Sequence, residues 1–373
     1  MTVTVAEIAR LVDRLAPPEL AEPWDNCGLQ AGCYGWKADR VWVALDPSYP
    51  VVAAACRAGV NLLITHHPLL LAAIKTVDFE TMPGRALKLA AENRLSILSA
   101  HTSLDSAVGG LNDCCAARLG LGDIRVLAAP SRPAYFKLAV FVPETHEAQV
   151  LRALEETRAG EYGAYSCCSF SVRGQGRFKP ADGASPFIGA PGQLATVEEV
   201  RIETIVASAD LAATVARVRA AHPYETMAYD VFPLAGSVGE PRGLGRIGSL
   251  GKAMPLSDFA GYVKERFGIA HIRVAGDPNL SVKTVAVCSG SGSSLMGDFF
   301  ASGADVFVSG EFKHHNGLAV RDAGRGLIDA GHFETECLVV DLLVGRLREL
   351  AAQDGLSPDI QGCPAEENPF YLL

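Results

Sequence analysis

His332 and Glu336, in Gly331-His332-Phe333-Glu334-Thr335-Glu336, stand four residues apart where a strand-like run (326–330) hands over to a helix-like one (337–350). Residues at i and i+4 share a helix face, one turn apart. An imidazole and a carboxylate so placed can grip one metal ion or two. A second cluster, Thr65-His66-His67, follows another apolar run, and a third, His101-Thr102-Ser103-Leu104-Asp105, follows one more. Ligands of α/β sheets bind beyond the carboxyl ends of strands, and all three clusters hold that position. Pro68 follows His67 directly, so the strand has ended and both imidazoles can turn toward one site.

Together the clusters offer His66, His67, His101, Asp105, His332 and Glu336, more than the three or four protein ligands of a single zinc. Two ions sharing a carboxylate, about 3.5–4 Å apart around a bridging water, would use the set, and Glu336 is the expected bridge. Nitrogen and oxygen donors without sulfur suit zinc, manganese, iron, cobalt or nickel, and do not choose among them. Glu311 and His315 follow the strand-like run 305–308 and can reach the same cavity. His315 or His101 is the expected general acid/base on a metal-activated water, against a purely structural or surface role for either.

These residues need a scaffold. Over 1–130 the sequence alternates helix-like and strand-like segments: helices at 6–15, 51–58, 84–93 and 109–119, strands at 41–45, 60–64 and 95–99. Such repetition predicts a mostly parallel sheet with helices on both faces. From Phe136 the rhythm becomes strand 136–142, helix 144–158, strand 165–172, a Gly/Pro-rich loop from Gly174 to Gly192, strand 200–206, helix 211–221 and strand 228–234. That βαββαβ order is ferredoxin-like. A glycine-rich stretch, 236–248, reads as a linker, and alternation resumes at Leu256. The expected fold class is therefore α/β. Two similar α/β halves, 1–130 and 246–373, form one discontinuous domain, with an inserted ferredoxin-like α+β domain at 131–245.

Composition narrows the function. The 373 residues are 49% hydrophobic and 20% charged, which excludes general disorder. A net charge of −9 argues against a nucleic-acid binder that grips the backbone with a basic face. No apolar run reaches membrane-spanning length. The first ten residues lack a basic stretch followed by an apolar core, so no signal peptide is read there and a cytoplasmic location is expected. The 10 cysteines include no Cys-x-x-Cys pair and read as buried reduced thiols.

Five stretches in order, Trp24-Asp25-Asn26-Cys27-Gly28-Leu29-Gln30, Ile64-Thr65-His66-His67-Pro68-Leu69, His101-Thr102-Ser103-Leu104-Asp105, Ser309-Gly310-Glu311-Phe312-Lys313-His314-His315 and Gly331-His332-Phe333-Glu334-Thr335-Glu336, together resemble the NIF-three-like proteins, also called GTP cyclohydrolase I type two homologs. The insert resembles the PII/CutA-like domain of the longer bacterial members, through Tyr165-Ser166-Cys167-Cys168-Ser169-Phe170, Gly176-Arg177-Phe178-Lys179-Pro180 and His222-Pro223-Tyr224-Glu225-Thr226. The resemblance implies a toroidal homohexamer with a dinuclear metal centre facing an internal cavity. It also implies that His67 and Asp105 hold one ion, His66 and His332 the other, and Glu336 bridges both, with His101 beside them. The sequence departs from the family at Glu311, where Asp is frequent, and at His314, where Tyr is frequent; both positions are expected to shape the substrate pocket.

Two further motifs carry less. Ser289 to Ser294 lacks the Gly-Lys-Ser/Thr ending of a P-loop and reads as a tight turn with a helix cap. His222-Pro223-Tyr224-Glu225 reads as structural punctuation before a strand. The expected function is a metal-dependent hydrolase acting on nucleotides or related small molecules, purine ring opening included. The competing reading is a non-enzymatic metal carrier or metal-dependent regulator. Binding to a transcription factor finds no basic patch to support it.

Overall fold

Thr4 opens the first helix, Val5–Leu15, with a capping box. Its side chain accepts from the Glu7 amide, and Glu7 Oε2 accepts from the Thr4 amide at 2.8 Å. Two orphan donors of the first turn are thereby satisfied. The stripe Ile8, Leu11 and Val12 is buried, as its helical spacing predicts. In the computed structural model, which describes residues 2–128, 135–234 and 242–371, this helix belongs to the first of two units: Met1–Ser131 with Pro241–Leu373, the second being Arg132–Glu240. The boundary expected at 130/131 lies outside the described residues.

The first unit is mixed α/β and holds two sheets. One has five strands in the order Gly28–Ala31, Ser96–Ser99, Leu62–Thr65, Arg40–Ala44, Asp359–Gly362, all parallel except the first. The other has six, in the order Arg273–Ala275, Gly326–Asp329, Val306–Glu311, Ser281–Ser291, Leu244–Pro255, Gly122–Ala128. Its three strands 281–291, 306–311 and 326–329 are parallel, and the rest pair antiparallel. Every residue of Leu62–Thr65, Ser96–Ser99 and Gly326–Asp329 is buried. Parallel strands covered on both faces read as such short continuous runs.

The two halves of this unit are not separate copies of one sheet. Asp359–Gly362, from the C-terminal half, extends the first sheet beside Arg40–Ala44. Gly122–Ala128, from the N-terminal half, closes the second against Leu244–Pro255. Helix Leu338–Gln353 sends Val339, Leu343 and Leu347 into the core built by Val41, Val43, Ile64 and Leu98. Each half thus buries apolar surface that the other would leave wet. The sequence leaves these exchanged edge strands unassigned because they are half polar and largely exposed.

The glycine-rich stretch 236–248 is a linker only in name over its later part. Residues 236–241 lie outside the described residues, but Leu244–Pro255 is a strand between two neighbours. Its glycines answer close packing. A Cβ on Gly243 would stand 2.1 Å from the Ala128 carbonyl oxygen. Arg246, 2% exposed, donates to the carbonyl oxygens of Ala107, Gly243 and Gly245 and to the Asp113 carboxylate.

The second unit is a four-stranded antiparallel sheet, in the order Ser169–Phe178, Ala195–Ala207, Tyr135–Pro143, Tyr229–Pro233. Helices Glu147–Glu155 and Leu211–Ala221 place Val150, Leu154 and Val218 against Leu138, Val140 and Ile202. Gly174 and Gly176, expected in a loop, lie within Ser169–Phe178. At Gly176 a Cβ would meet Glu199 Oε2 at 2.0 Å, so this glycine makes room for a cross-strand carboxylate. Among the described residues, no helix is long and apolar enough to cross a membrane.

Candidate metal centre

The carboxyl ends of the parallel strands in the first unit's two sheets carry the expected donors. His66 and His67 follow Leu62–Thr65, and His101 and Asp105 follow Ser96–Ser99. His332 opens a short helix, His332–Glu336, after Gly326–Asp329. Gly331, at φ 89°, makes the turn into that helix, a conformation glycine adopts at little cost. One turn later Glu336 is 4% exposed.

The Glu336 carboxylate divides the donors. Oε1 lies 3.9 Å from His66 Nε2, which is 3.7 Å from Asp105 Oδ1. Oε2 lies 3.0 Å from His67 Nε2 and 2.9 Å from His332 Nε2. On the two sides of this carboxylate, His66 lies nearest Asp105, and His67 lies beside His332. His66 is fully buried beside the loop that carries Asp105, whereas the next residue, His67, turns across to the other sheet. His101 joins His66 and His67 in one group of close nitrogens.

Each imidazole is held from behind. His66 Nδ1 lies 2.8 Å from the Ala100 carbonyl oxygen, His67 Nδ1 2.7 Å from Asp46 Oδ1, His101 Nδ1 2.8 Å from Asp25 Oδ1, and His332 Nδ1 3.4 Å from Glu311 Oε2. An acceptor at Nδ1 fixes the ring proton there and leaves Nε2 as a lone pair. All four Nε2 atoms are then ligand-ready. In that tautomer His66 Nε2 and Glu336 Oε2 are buried without a hydrogen-bond partner. Buried orphans are costly, and lone pairs 2.9–3.0 Å from a carboxylate oxygen require positive charge, as imidazole protons or as a cation.

The titration behaviour follows the same need. Burial works to depress His67, but its contacts with Asp46 and Glu336 outweigh it and push its pKa up to about 10. The Glu336 contact raises His332. For Glu336, burial works upward, yet His332 and His67 hold it well below the usual carboxylate range. Burial lowers His66 and keeps it neutral, and burial raises Asp105. The donor set fits divalent metal. Contacts of 2.9–3.9 Å between donor atoms fall within ~4.2 Å, twice a metal–nitrogen bond of about 2.1 Å.

Neighbouring residues shape the pocket floor. Ser289 Oγ donates to Asp105 Oδ1 at 3.1 Å, and Asn112 Oδ1 accepts from the Ser289 amide at 2.9 Å. The Ser289 to Ser294 stretch thus supports a donor carboxylate from the end of strand Ser281–Ser291. A cavity of about 610 Å³ opens beside His67 and His332, walled in part by Ile272, Arg273, Glu311 and Phe370. Glu311 reaches this cavity. His315 is exposed in the first turn of helix His314–Asp322 and belongs to neither donor group.

Sequence reasoning passed over Asp25, Asp46 and Glu366. Asp25 accepts from His101 Nδ1 and from the Thr102 amide at 3.0 Å; burial works against its charge, but these contacts hold it below the usual range. It lay in a stretch already singled out, and Asp46 stands just past a strand end. Glu366 left no signal. Of the cysteines, all free, Cys33, Cys167 and Cys168 are exposed rather than buried. His222 is structural: Nε2 lies 2.9 Å from the Phe141 carbonyl oxygen, and Nδ1 accepts from the Tyr224 amide.

Fold and site define an α/β protein with a buried His/carboxylate cluster, able to hold metal, at the carboxyl ends of its strands. The chain belongs to the Duf34/NIF3 (NGG1p interacting factor 3) family, whose model matches residues 3–369. It is 38% identical to a GTP cyclohydrolase 1 type 2 homolog of Halalkalibacterium halodurans, over 98% of each chain. A protein of the same name in Bacillus subtilis is 35% identical, over 100% of this chain and 99% of that one. The crystal structure of a Bacillus cereus protein related to NIF3 superposes with a TM-score of 0.76 at 35% identity, covering 100% of both chains.

Proposed function

We propose that the protein binds a pair of divalent metal ions and is a metal-dependent hydrolase of nucleotides or related small molecules. His66 and Asp105 would hold one ion, His67 and His332 the other, with Glu336 between them and His101 alongside. The observation that carries the reading is Glu336: a buried carboxylate whose Oε1 faces His66 and whose Oε2 faces His67 and His332, with His66 Nε2 buried and lacking a hydrogen-bond partner. Paired divalent ions supply Lewis acidity and lower the pKa of a shared water, giving a nucleophile near neutral pH. The chain's own residues orient the imidazoles through Ala100, Asp46, Asp25 and Glu311, and His101 is the group best placed to accept a proton. The name of the curated relatives, GTP cyclohydrolase 1 type 2 homolog, supports a cyclohydrolase-like reaction, and the 610 Å³ cavity has room for a small heterocycle.

The proposal extends to assembly and to the second unit. For assembly it adopts the toroidal homohexamer that the motif resemblance implies. The strand order of the second unit, with its two helices, supports a ferredoxin-like, PII/CutA-like insert.

Elemental analysis of protein purified without added metal tests the centre directly. A pair of ions per chain is the expected result; none, even after loading, would sink it. A screen of metal-loaded protein against nucleotides and phosphoesters tests the chemistry, with Glu336→Ala as control. Rates equal to the control would reject the enzyme reading. The competing reading, a metal carrier, draws on one observation: the His332 side chain is 40% exposed and borders the cavity, so the ion on that side has a route out. Fast transfer of metal to an acceptor without turnover would favour it.

A further inference from the structure

We infer that Glu366, in the C-terminal segment, is a positioning residue that sets one side of the centre, the His67–His332 side, through Asp46. The inference rests on the metal reading above. Strand Asp359–Gly362 ends its ladder with Arg40–Ala44, and one more bond follows, from the Cys363 amide to the Val43 carbonyl oxygen at 2.7 Å. Beyond it the Leu45 and Asp46 amides have no strand to pair with. Glu366 takes both: Leu45 N lies 2.8 Å from Oε1 and 2.7 Å from Oε2, and Asp46 N lies 2.7 Å from Oε1.

The turn so fixed is the one that orients His67. Asp46 Oδ1 accepts from His67 Nδ1 at 2.7 Å, and the Leu45 carbonyl oxygen accepts from the His67 amide at 3.0 Å. Two residues past Glu366, Asn368 Nδ2 donates to Glu334 Oε1 at 2.8 Å, on the helix that carries His332 and Glu336. One short segment therefore ties down both elements whose imidazoles face Glu336 Oε2. The Nδ1 of His66 is held instead by Ala100, and Asp105 by Ser289. The dependence should be one-sided.

Glutamine is a sharp probe at this position. It keeps the shape of the side chain but turns one oxygen into a donor, which would then face a backbone N–H donor. Metal-free protein is titrated with Co(II) alone, and two dissociation constants and the visible absorption of each bound ion are read. Asp46→Asn should weaken one of the two sites ~10–100-fold, the usual effect of removing a carboxylate behind a ligating histidine. Glu366→Gln should weaken that same site by about tenfold, shift its spectrum, and leave the other unchanged. The double variant should bind no more weakly than Asp46→Asn alone, because the two residues act in series.

Equal weakening of both sites, wild-type binding by Glu366→Gln, or multiplied effects in the double variant would each overturn the inference. Should Glu366→Gln not fold, Glu366→Asp takes its place with the same readings. Two intact sites in every variant would sink the role of Glu366 alone. No uptake by the unaltered protein would sink the metal centre with it.

Discussion

Gly290 lies so close to Glu336 that a Cβ built on it would stand 2.0 Å from Oε1 and 3.3 Å from His332 Nε2, and its φ of 57° is one that side chains resist. A residue at the end of one strand is thus kept bare so that a carboxylate from a helix after another can occupy the space. Gly290→Ala should displace Glu336 and add about 1–2 kcal/mol of backbone strain. The expected outcome is loss of metal uptake by elemental analysis, together with a lower melting temperature of the metal-free chain.

Glu336→Gln keeps the size of the side chain and removes the charge that both donor sets face. Metal affinity should fall by more than ~100-fold, beyond the loss typical of a supporting residue. Circular dichroism should show an intact fold. Undiminished binding of both ions would mean that the bridge lies elsewhere.

Acid and base should act on the chelator-treated protein in a defined order. His67 rises from its ordinary 6.5 to about 10 on folding, so its contribution to stability is complete below about pH 6.5 and is lost as pH climbs through 10. Glu336 is shifted downward from 4.5, so its contribution is present above that pH and fades in acid. The melting temperature of metal-free protein should therefore fall between pH 7 and 10. Metal must displace the proton on His67, so uptake in weak buffer at pH 7–8 should acidify the solution. A titration without proton release would contradict the assigned charge states.

His101 and His315 separate cleanly by position. Asp25→Asn removes the carboxylate behind His101 and should cost ~10–100-fold in turnover, whereas His315→Ala should leave the number of bound ions unchanged. Loss of metal on His315→Ala would show that the exposed helix turn reaches the centre after all.

Arg246 offers a test of the scaffold away from the metal. Arg246→Met leaves the Asp113 carboxylate and three carbonyl oxygens without their donor. Leaving these partners unpaired beside a carboxylate that is itself partly exposed costs about 1–3 kcal/mol, measurable by chemical denaturation.

The sequence by itself determined the donor types and the places they occupy. His66, His67, His101, Asp105, His332 and Glu336 each follow a short buried apolar run, because parallel strands announce themselves as such runs and ligands gather beyond their ends. The i, i+4 spacing of His332 and Glu336 reported their contact before any fold was known. Only the tertiary structure decided which donors share which oxygen of Glu336. That choice depends on ring orientations set by Ala100, Asp46 and Glu311, residues remote in sequence whose hydrogen bonds leave no local pattern. The exchange of strands Gly122–Ala128 and Asp359–Gly362 between sheets was hidden for a related reason. Edge strands bury too little apolar surface to mark themselves, and their partners are chosen by the sheet edge left open for them.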